Sequence, residues 1–264
     1  MFDNIITCNW ENGQTKYGVN YGATEIKDYI YNKFLDFDYR NYIDIDHSTL
    51  LNEEYHKKVY DENINVIGNT LCIGGDHSIA IGSVLSSLSK NKDTCVIWID
   101  AHPDIHTFDS SSSKNIHGMP LSFITGLENK WSWTDKLNKL NFKNLFYFGI
   151  RDIDDFELNI IEKYKIRVLQ NIDEIKSIFA DYNSIHISFD VDSLDPSYMP
   201  STGTRSDFGI ELSEILYLFG NIKDKFLYNK LVNFDIVEYN PSIGTESDKQ
   251  TSKENIKLII DSLF

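Results

Sequence analysis

The chain has 264 residues, of which 41% are hydrophobic and 25% are charged, and its formal net charge is −15. This composition is typical of a globular protein with a sizeable core and argues against extended disorder. The acidic balance argues against nucleic-acid binding, because phosphate backbones require clustered Lys and Arg. It favours cationic ligands instead. The length suits one α/β unit, so we predict a single domain over residues 1–264.

Three cysteines, Cys8, Cys72 and Cys95, lie in or beside apolar segments and show no paired spacing. We therefore expect buried free thiols and a reducing compartment, without disulfides. The first four residues lack a basic region followed by an apolar run. No stretch approaches the roughly 18 apolar residues of a membrane span. These features predict a cytosolic protein that does not enter a membrane.

Apolar runs of strand length recur along the chain and predict six β-strands. They cover residues 70–73, 95–99, 145–150, 166–169, 185–191 and 231–237. The runs are mostly continuous and not alternating, as expected for strands covered on both faces. Helical patterns lie between them. The alternation predicts an α/β fold with a doubly wound, mostly parallel sheet flanked by helices.

Two helices near the C-terminus carry boundary signals. Apolar residues at helical spacing over 212–219 are followed by Gly220, which predicts the end of a helix. Thr251 and Glu254 form a capping-box pattern before an apolar helical stripe. That pattern predicts the start of the last helix.

Four polar segments directly follow predicted strands, at residues 74–77, 100–104, 190–192 and 238–240. Ligands of doubly wound sheets bind beyond the carboxyl ends of the strands. We therefore expect the functional site where these segments meet.

Four carboxylates and two imidazoles in three of these segments form a candidate metal site. They are His77, Asp100, His102, Asp104, Asp190 and Asp192. A spacing of two at a strand end would send the side chains of one segment to the same side. Carboxylates this close are costly to bury unless a cation offsets their repulsion. The set suits two divalent ions, preferably Mn²⁺, with Co²⁺ or Zn²⁺ possible, which can activate a shared water.

Three segments resemble the signature motifs of the arginase (ureohydrolase) family. They are Gly-Gly-Asp-His-Ser at 74–78, Asp-Ala-His-Pro-Asp at 100–104 and Ser-Phe-Asp-Val-Asp-Ser-Leu-Asp-Pro at 188–196. The similarity runs from Gly13-Gln14 near the start to Glu-Tyr-Asn-Pro at 238–241. It implies an arginase-like catalytic domain that binds two metal ions.

The resemblance also implies how the ions are held. Asp100 and Asp190 would bridge both ions. His77 and Asp104 would complete one metal site, and the other would be completed by His102 and Asp192.

Roles for neighbouring residues follow from the same resemblance. His117 matches a proton-shuttling histidine, and Glu238 matches the glutamate that binds the substrate guanidinium. Together with Asp104 they are the expected catalytic residues. Asp154 resembles the residue that helps to hold the α-amino group of arginine.

Ser113 and Thr204 would line the α-carboxylate end of the substrate or its loop. His106 stands where arginases usually carry an asparagine that contacts the substrate carboxylate. The remaining histidines are assigned no role in the site: His47 and His56 on a polar helix face, and His186 inside a strand.

The first functional hypothesis implied by the resemblance is hydrolysis of L-arginine to L-ornithine and urea. The partner is then a small cationic guanidino substrate, and the family implies a homo-oligomer, a trimer or hexamer. A second hypothesis replaces arginine by agmatine, another guanidino compound or formimidoylglutamate, and His106 keeps it open. A third is a non-catalytic metal-binding homologue with an interaction role.

Overall fold

One parallel β-sheet forms the centre of the computed structural model, which describes residues 2–34, 41–45, 50–222 and 228–264. Its strands are β1 (Asn4–Cys8), β2 (Asn41–Ile45), β3 (Thr70–Gly74), β4 (Cys95–Ile99), β5 (Leu145–Phe148), β6 (Arg167–Leu169), β7 (Ile185–Asp190) and β8 (Leu231–Val237). Their order across the sheet is β2-β1-β3-β8-β7-β4-β5-β6. Every neighbouring pair is parallel, which confirms the predicted α/β sheet.

Helices cover both faces of this sheet. They are α1 (Val19–Lys33), α2 (Asn52–Asn65), α3 (Ala80–Lys90), α4 (Pro120–Thr125), α5 (Asp155–Tyr164), α6 (Ile172–Asp181), α7 (Leu212–Ile222) and α8 (Glu246–Leu263). Alternate residues of β4 point to opposite sides. Ile97 packs with residues of α1, α6, α7 and α8, and Trp98 packs with residues of α3, α4 and α5. The continuous apolar runs therefore reflect strands buried on both faces.

All six predicted strands are present, with bounds that differ by at most two residues at either end. The prediction missed β1 and β2. β2 lies at the edge of the sheet, and its first four residues are at least partly exposed, so it shows no apolar run. β1 is fully buried, but Asn4 and Thr7 interrupt its apolar pattern.

Both predicted helix boundaries near the C-terminus are wrong. α7 includes Gly220 and is described as far as Ile222, so Gly220 does not end the helix. α8 begins at Glu246, where Thr245 and Asp248 form the capping box, so Thr251 and Glu254 lie inside the helix. The first turns of α8 are polar and exposed, and they show none of the apolar periodicity that marked the later part of the helix.

The cysteines and the helices can be compared with what the composition predicted. All three cysteines are free and buried, which confirms the expected structural thiols. Among the described residues, no helix combines the length and the apolar character needed to cross a bilayer.

A glycine in α1 lets the segment after β8 approach this helix. A Cβ atom at Gly22 would lie 1.8 Å from the carbonyl oxygen of Tyr239, whereas a Cβ at Gly220 would meet no heavy atom of the described residues within 4 Å. α1 can therefore approach Tyr239 this closely only because residue 22 is a glycine.

We expect Gly22→Ala to destabilise the fold by about 1–3 kcal/mol, because the new methyl group overlaps backbone. Gly220→Ala is the matched control and should stabilise by about 0.5–1 kcal/mol, because it only removes a helix-interior glycine. Urea denaturation of both variants measures the difference. A Gly22→Ala protein as stable as wild type would contradict the packing described for α1.

Candidate metal centre

The same local turn follows three strands at the carboxyl edge of the sheet. In each, an aspartate side chain accepts a hydrogen bond from the backbone N–H two residues later. The pairs are Asp76 and Ser78 at 3.0 Å, Asp100 and His102 at 2.7 Å, and Asp190 and Asp192 at 2.7 Å. Such turns are a known use of aspartate, whose short side chain competes for nearby backbone donors. They bend the chain so that polar side chains gather above the strand ends.

The loop after β4 brings its ligand candidates together by a route that the sequence did not indicate. Strand pairing ends at Ile99, so strand alternation does not orient Asp100, His102 and Asp104 as expected. Asp104 has a φ of 50°, in the left-handed region that non-glycine residues rarely adopt. A tight loop, and not an extended strand, turns the Asp104 carboxylate back towards the centre.

The first candidate ion position surrounds the ring of His77. Its Nδ1 atom lies 3.0 Å from Asp100 Oδ2, 3.1 Å from Asp104 Oδ2 and 3.2 Å from Asp190 Oδ2. The ring stacks on Trp98 at a centroid distance of 4.0 Å. His77 Nε2 is hydrogen-bonded to a serine hydroxyl, Ser188 Oγ, at 2.9 Å. These contacts on both sides fix Nδ1 as the nitrogen that faces the carboxylates.

The second candidate position lies beside the first and shares Asp100. His102 Nδ1 lies 3.2 Å from Asp192 Oδ2 and 3.4 Å from Asp100 Oδ1. Possible ligand atoms of Asp100, His102 and Asp192 lie within 4.8 Å of one another, as do those of His77, Asp100 and Asp190. Asp100 thus belongs to both groups and Asp190 to the first. Bridging of two ions by Asp190 stays a prediction.

The chemistry of this cluster fits divalent cations. His77 Nδ1 is buried and, among the described residues, makes no hydrogen bond of acceptable geometry, although three carboxylates surround it. Burial and the neighbouring Asp100 charge raise the pKa of Asp104 to about 7. Burial, Asp192 and Asp100 likewise raise the pKa of Asp190. Four ionised carboxylates would carry four negative charges, which two divalent ions neutralise.

Glu238 lies next to the cluster, directly after β8. It is buried, and its φ of 69° is again left-handed. Its Oε1 accepts hydrogen bonds from the backbone N–H of His77 at 2.9 Å and from His117 Nδ1 at 3.1 Å, and Oε2 accepts one from Gln14 at 2.7 Å. Burial opposes ionisation, but these donors, above all His117, lower the pKa of Glu238. The site therefore holds this carboxylate in its charged form.

The pKa of His117 shifts in the opposite direction. Burial favours its neutral form, but the hydrogen bond and the charge of Glu238, with help from Asp104 and Asp76, raise the pKa to about 9. At neutral pH the imidazole is therefore in its cationic form, with a proton on each ring nitrogen, in this environment. Its side chain lines the pocket, and its Nδ1 atom contacts Glu238 at 3.1 Å.

The pocket over this centre has a volume of about 230 Å³ and is strongly acidic. Five carboxylates and three imidazoles line it, and within the described chain no lysine or arginine does. At its outer end His106 Nε2 lies 3.0 Å from Asp154 Oδ2, and His106 Nδ1 lies 2.9 Å from Ser110 Oγ. Burial and Asp104 raise the pKa of the nearby Glu157 to about 8.

Two expected substrate contacts lie in different surroundings. Thr204 lines the pocket and donates a hydrogen bond to Asp192 Oδ2 at 2.6 Å, so its hydroxyl contacts a metal-ligand candidate. Ser113 is exposed and lies outside the pocket lining. Its hydroxyl accepts a hydrogen bond from the Asn115 N–H at 3.2 Å.

Sequence reasoning missed three residues of this region. Gln14 donates to Glu238, Asp152 Oδ2 lies 3.6 Å from His102 Nε2, and Glu157 lines the pocket. Glu157 had a readable signal, because it lies three residues after Asp154 and forms a capping box with it. Gln14 lies in the Gly13-Gln14 pair of the family similarity, which gave it no role, and the pattern around Asp152 carried no comparable signal.

The histidines that were assigned no role are part of the protein interior where they are described. His56 lies on α2 as expected, but it is buried and not on a polar face; Nε2 contacts Ser78 Oγ at 2.8 Å. Burial lowers its pKa to about 4. His186 is buried in β7, with Nε2 2.8 Å from Asp235. His47 lies outside the described residues.

The parallel sheet and the centre at its carboxyl edge define an α/β protein with a candidate binuclear metal site. A family model described as the arginase family matches residues 4–264. The chain belongs to the arginase family, as the sequence motifs implied.

Individual relatives agree with this assignment. An arginase from Entamoeba histolytica is 37% identical over 221 residues, which are 78% of this chain and 71% of that protein. An arginase from Schizosaccharomyces pombe is 35% identical over 205 residues, which are 71% of this chain but only 62% of that protein. The crystal structure of an Entamoeba histolytica arginase in complex with L-ornithine matches with a TM-score of 0.84 at 29% identity, covering 98% of both chains.

We expect Mn²⁺ binding to release protons and to weaken as the pH falls from 8 to 6. A pKa of about 7 means that Asp104 takes up a proton across this range, and burial with the charges of Asp192 and Asp100 also raises the pKa of Asp190; an incoming ion must displace the bound protons. Calorimetric titration in buffers of different ionisation enthalpy measures the release. Asp104→Asn should release fewer protons, whereas Asp154→Asn, outside both ligand groups, should behave as wild type. An Mn²⁺ affinity independent of pH would contradict this account.

Proposed function

We propose that this protein hydrolyses L-arginine to L-ornithine and urea. One observation carries the proposal: the ionised Glu238 carboxylate and the proton-carrying His117 lie side by side next to six metal-ligand candidates. A guanidinium bound to Glu238 would thus be held beside a metal centre and within reach of a proton donor. Membership of the arginase family supports the same reaction.

The metal ligands in this proposal are His77, Asp100, His102, Asp104, Asp190 and Asp192. An oxygen-rich set with two imidazoles suits Mn²⁺, and Co²⁺ or Zn²⁺ are possible alternatives. When bound, a pair of such ions makes water a nucleophile at neutral pH.

Glu238 orients the substrate. Its carboxylate matches the planar, positively charged guanidinium in charge and in hydrogen-bonding geometry. Because Glu238 is buried and fixed by three donors, a guanidinium bound to it would lose little further freedom on the way to the transition state.

His117 transfers protons. The hydrogen bond to Glu238 occupies Nδ1, which leaves Nε2 as the nitrogen for exchange with substrate or solvent. A pKa of about 9 supplies a proton for the leaving amine at neutral pH. Asp104 lies 3.1 Å from His77 Nδ1 and lines the pocket, so its carboxylate would hold a metal ion and accept a proton on the side that faces the substrate.

The outer end of the pocket selects the rest of the substrate. Asp154 provides negative charge for an α-amino group, and the neighbouring Glu157 adds carboxyl oxygens that can accept its hydrogen bonds. Ser113 and Thr204 remain proposed contacts near the carboxylate end, as does His106. Both ring nitrogens of His106 are already engaged, by Asp154 and by Ser110. That observation favours a second candidate, a guanidino substrate without a carboxylate, such as agmatine.

Further features of the proposal concern the whole protein. We infer one catalytic domain over residues 1–264, a homo-oligomer such as a trimer or hexamer, and a cytosolic location. Three free thiols support a reducing compartment. Family membership supports the oligomer.

Urea release across a panel of guanidino compounds, with Mn²⁺ supplied, tests the proposal. We expect kcat/KM for L-arginine to exceed that for agmatine by at least about tenfold, because Asp154 and Glu157 would lose their amino-group partner. A preference for agmatine would support the second candidate. Absence of turnover with every compound would leave a non-catalytic metal-binding protein.

His117→Asn is the control that ties urea release to this site. It should lower kcat by roughly a hundredfold or more, as expected for loss of a proton donor, while the bound Mn²⁺ stays at the wild-type level. An unchanged kcat would remove His117 from the mechanism.

A further inference from the structure

A short segment near the N-terminus is fastened at several points to loops that carry residues of the site. Gly13 N–H donates to Asp76 Oδ2 at 2.8 Å, and Gly13 O accepts from the backbone N–H of His117 at 3.1 Å. Lys16 donates to the carbonyl oxygen of Gly203. We call residues 13–16 the N-terminal strap. Its backbone is held by the elements that carry the proposed catalytic residues.

The strap places one side chain directly on the proposed guanidinium carboxylate. Gln14 Nε2 lies 2.7 Å from Glu238 Oε2. The other end of the amide packs towards Gly203, where an added Cβ would lie 3.0 Å from Gln14 Oε1. Gln14 therefore lies beside Gly203, and its amide is held by the hydrogen bond to Glu238.

The hydrogen bonds of Glu238 leave one direction for a substrate. A carboxylate offers about four acceptor positions, two on each oxygen. Oε1 already accepts from the His77 N–H and from His117, and Oε2 accepts from Gln14. The fourth position, on Oε2, is the one that Gln14 leaves to a further donor. The amide therefore determines which lone pair of Oε2 stays open to a further donor.

The neutrality of this donor matters as much as its position. A lysine or arginine at residue 14 would offset the charge of Glu238, and a cationic substrate would then have to compete with it. A side-chain amide fixes the carboxylate without neutralising it. Glu238 therefore keeps its attraction for a cation.

We propose that Gln14 is a positioning residue for guanidinium recognition, acting through Glu238 by fixing the orientation of its Oε2 atom. The inference rests on the proposed function, since it takes Glu238 as the guanidinium ligand. It assigns to the strap a part in substrate specificity that lies outside the metal centre.

The test uses Mn²⁺-loaded protein and guanidinium chloride as the probe, titrated by calorimetry at constant ionic strength and at concentrations far below denaturing ones. Gln14→Met keeps the side-chain length but removes the donor, and Gln14→Asn keeps the amide but shortens its reach. Both variants should bind guanidinium about tenfold more weakly, as expected when a hydrogen bond to a charged group is lost. Their Mn²⁺ affinity should stay at the wild-type value.

Lys16→Met is the matched control, because it releases the same strap from Gly203 without touching Glu238. It should bind guanidinium within about twofold of wild type, as expected for loss of an exposed contact. Equal losses in Lys16→Met and Gln14→Met would show that only the strap backbone matters, and would overturn the inference. So would wild-type guanidinium affinity in both Gln14 variants, or no guanidinium binding by wild type.

The outcome separates this inference from the proposed reaction. If wild type releases urea and the Gln14 variants bind guanidinium as tightly as wild type, only the role of Gln14 is overturned. A Gln14-dependent guanidinium affinity without urea release overturns arginine hydrolysis and retains the role of Gln14.

Discussion

Electrostatic repulsion among buried carboxylates is the constraint on which the rest of this structure depends. Asp100, Asp104, Asp190 and Asp192 are all buried, and they lie around two imidazoles at one edge of the sheet. Moving a charged carboxylate out of water is costly unless an opposite charge compensates it. A cluster that folds in this way therefore needs protons or cations, and the raised pKa values of Asp104 and Asp190 express the same need.

The strand order explains how distant segments meet at this point. The four central strands are β3, β8, β7 and β4, adjacent in that order. They lead into His77, Glu238, Asp190 and Asp100 respectively, so one edge collects groups that are up to 161 residues apart, as in the contact between His77 and Glu238. Because all the strands are parallel, their carboxyl ends lie on the same side. The sheet topology thus brings these groups close together, and the aspartate turns orient their side chains towards one another.

Much of the fold and of the metal centre could be predicted from sequence. Continuous apolar runs indicate buried parallel strands, and β4 and β8 were predicted with the bounds that the structure has. The metal-ligand candidates could be found because carboxylates and imidazoles are rarely concentrated at strand ends without a purpose. The edge strand β2 escaped because exposed positions need no apolar residues.

Other details depend on contacts that no local pattern encodes. The left-handed conformations of Asp104 and Glu238 follow from surrounding packing and hydrogen bonds. The hydrogen bond from Gln14 to Glu238 links positions 224 residues apart. The start of α8 was misplaced because two capping-box patterns lie six residues apart in the sequence. The helix begins at the earlier pattern, and its first buried residues are Ser252 and Ile256.

The central claim is that the carboxylate cluster is a two-ion centre. Anomalous diffraction from crystals grown with Mn²⁺ tests it most directly. We predict two peaks about 3.5–4 Å apart, one beside His77 and one beside His102, with Asp100 in contact with both. A single peak, or peaks at a different place such as the group formed by His106, Asp154 and Glu157, would contradict it.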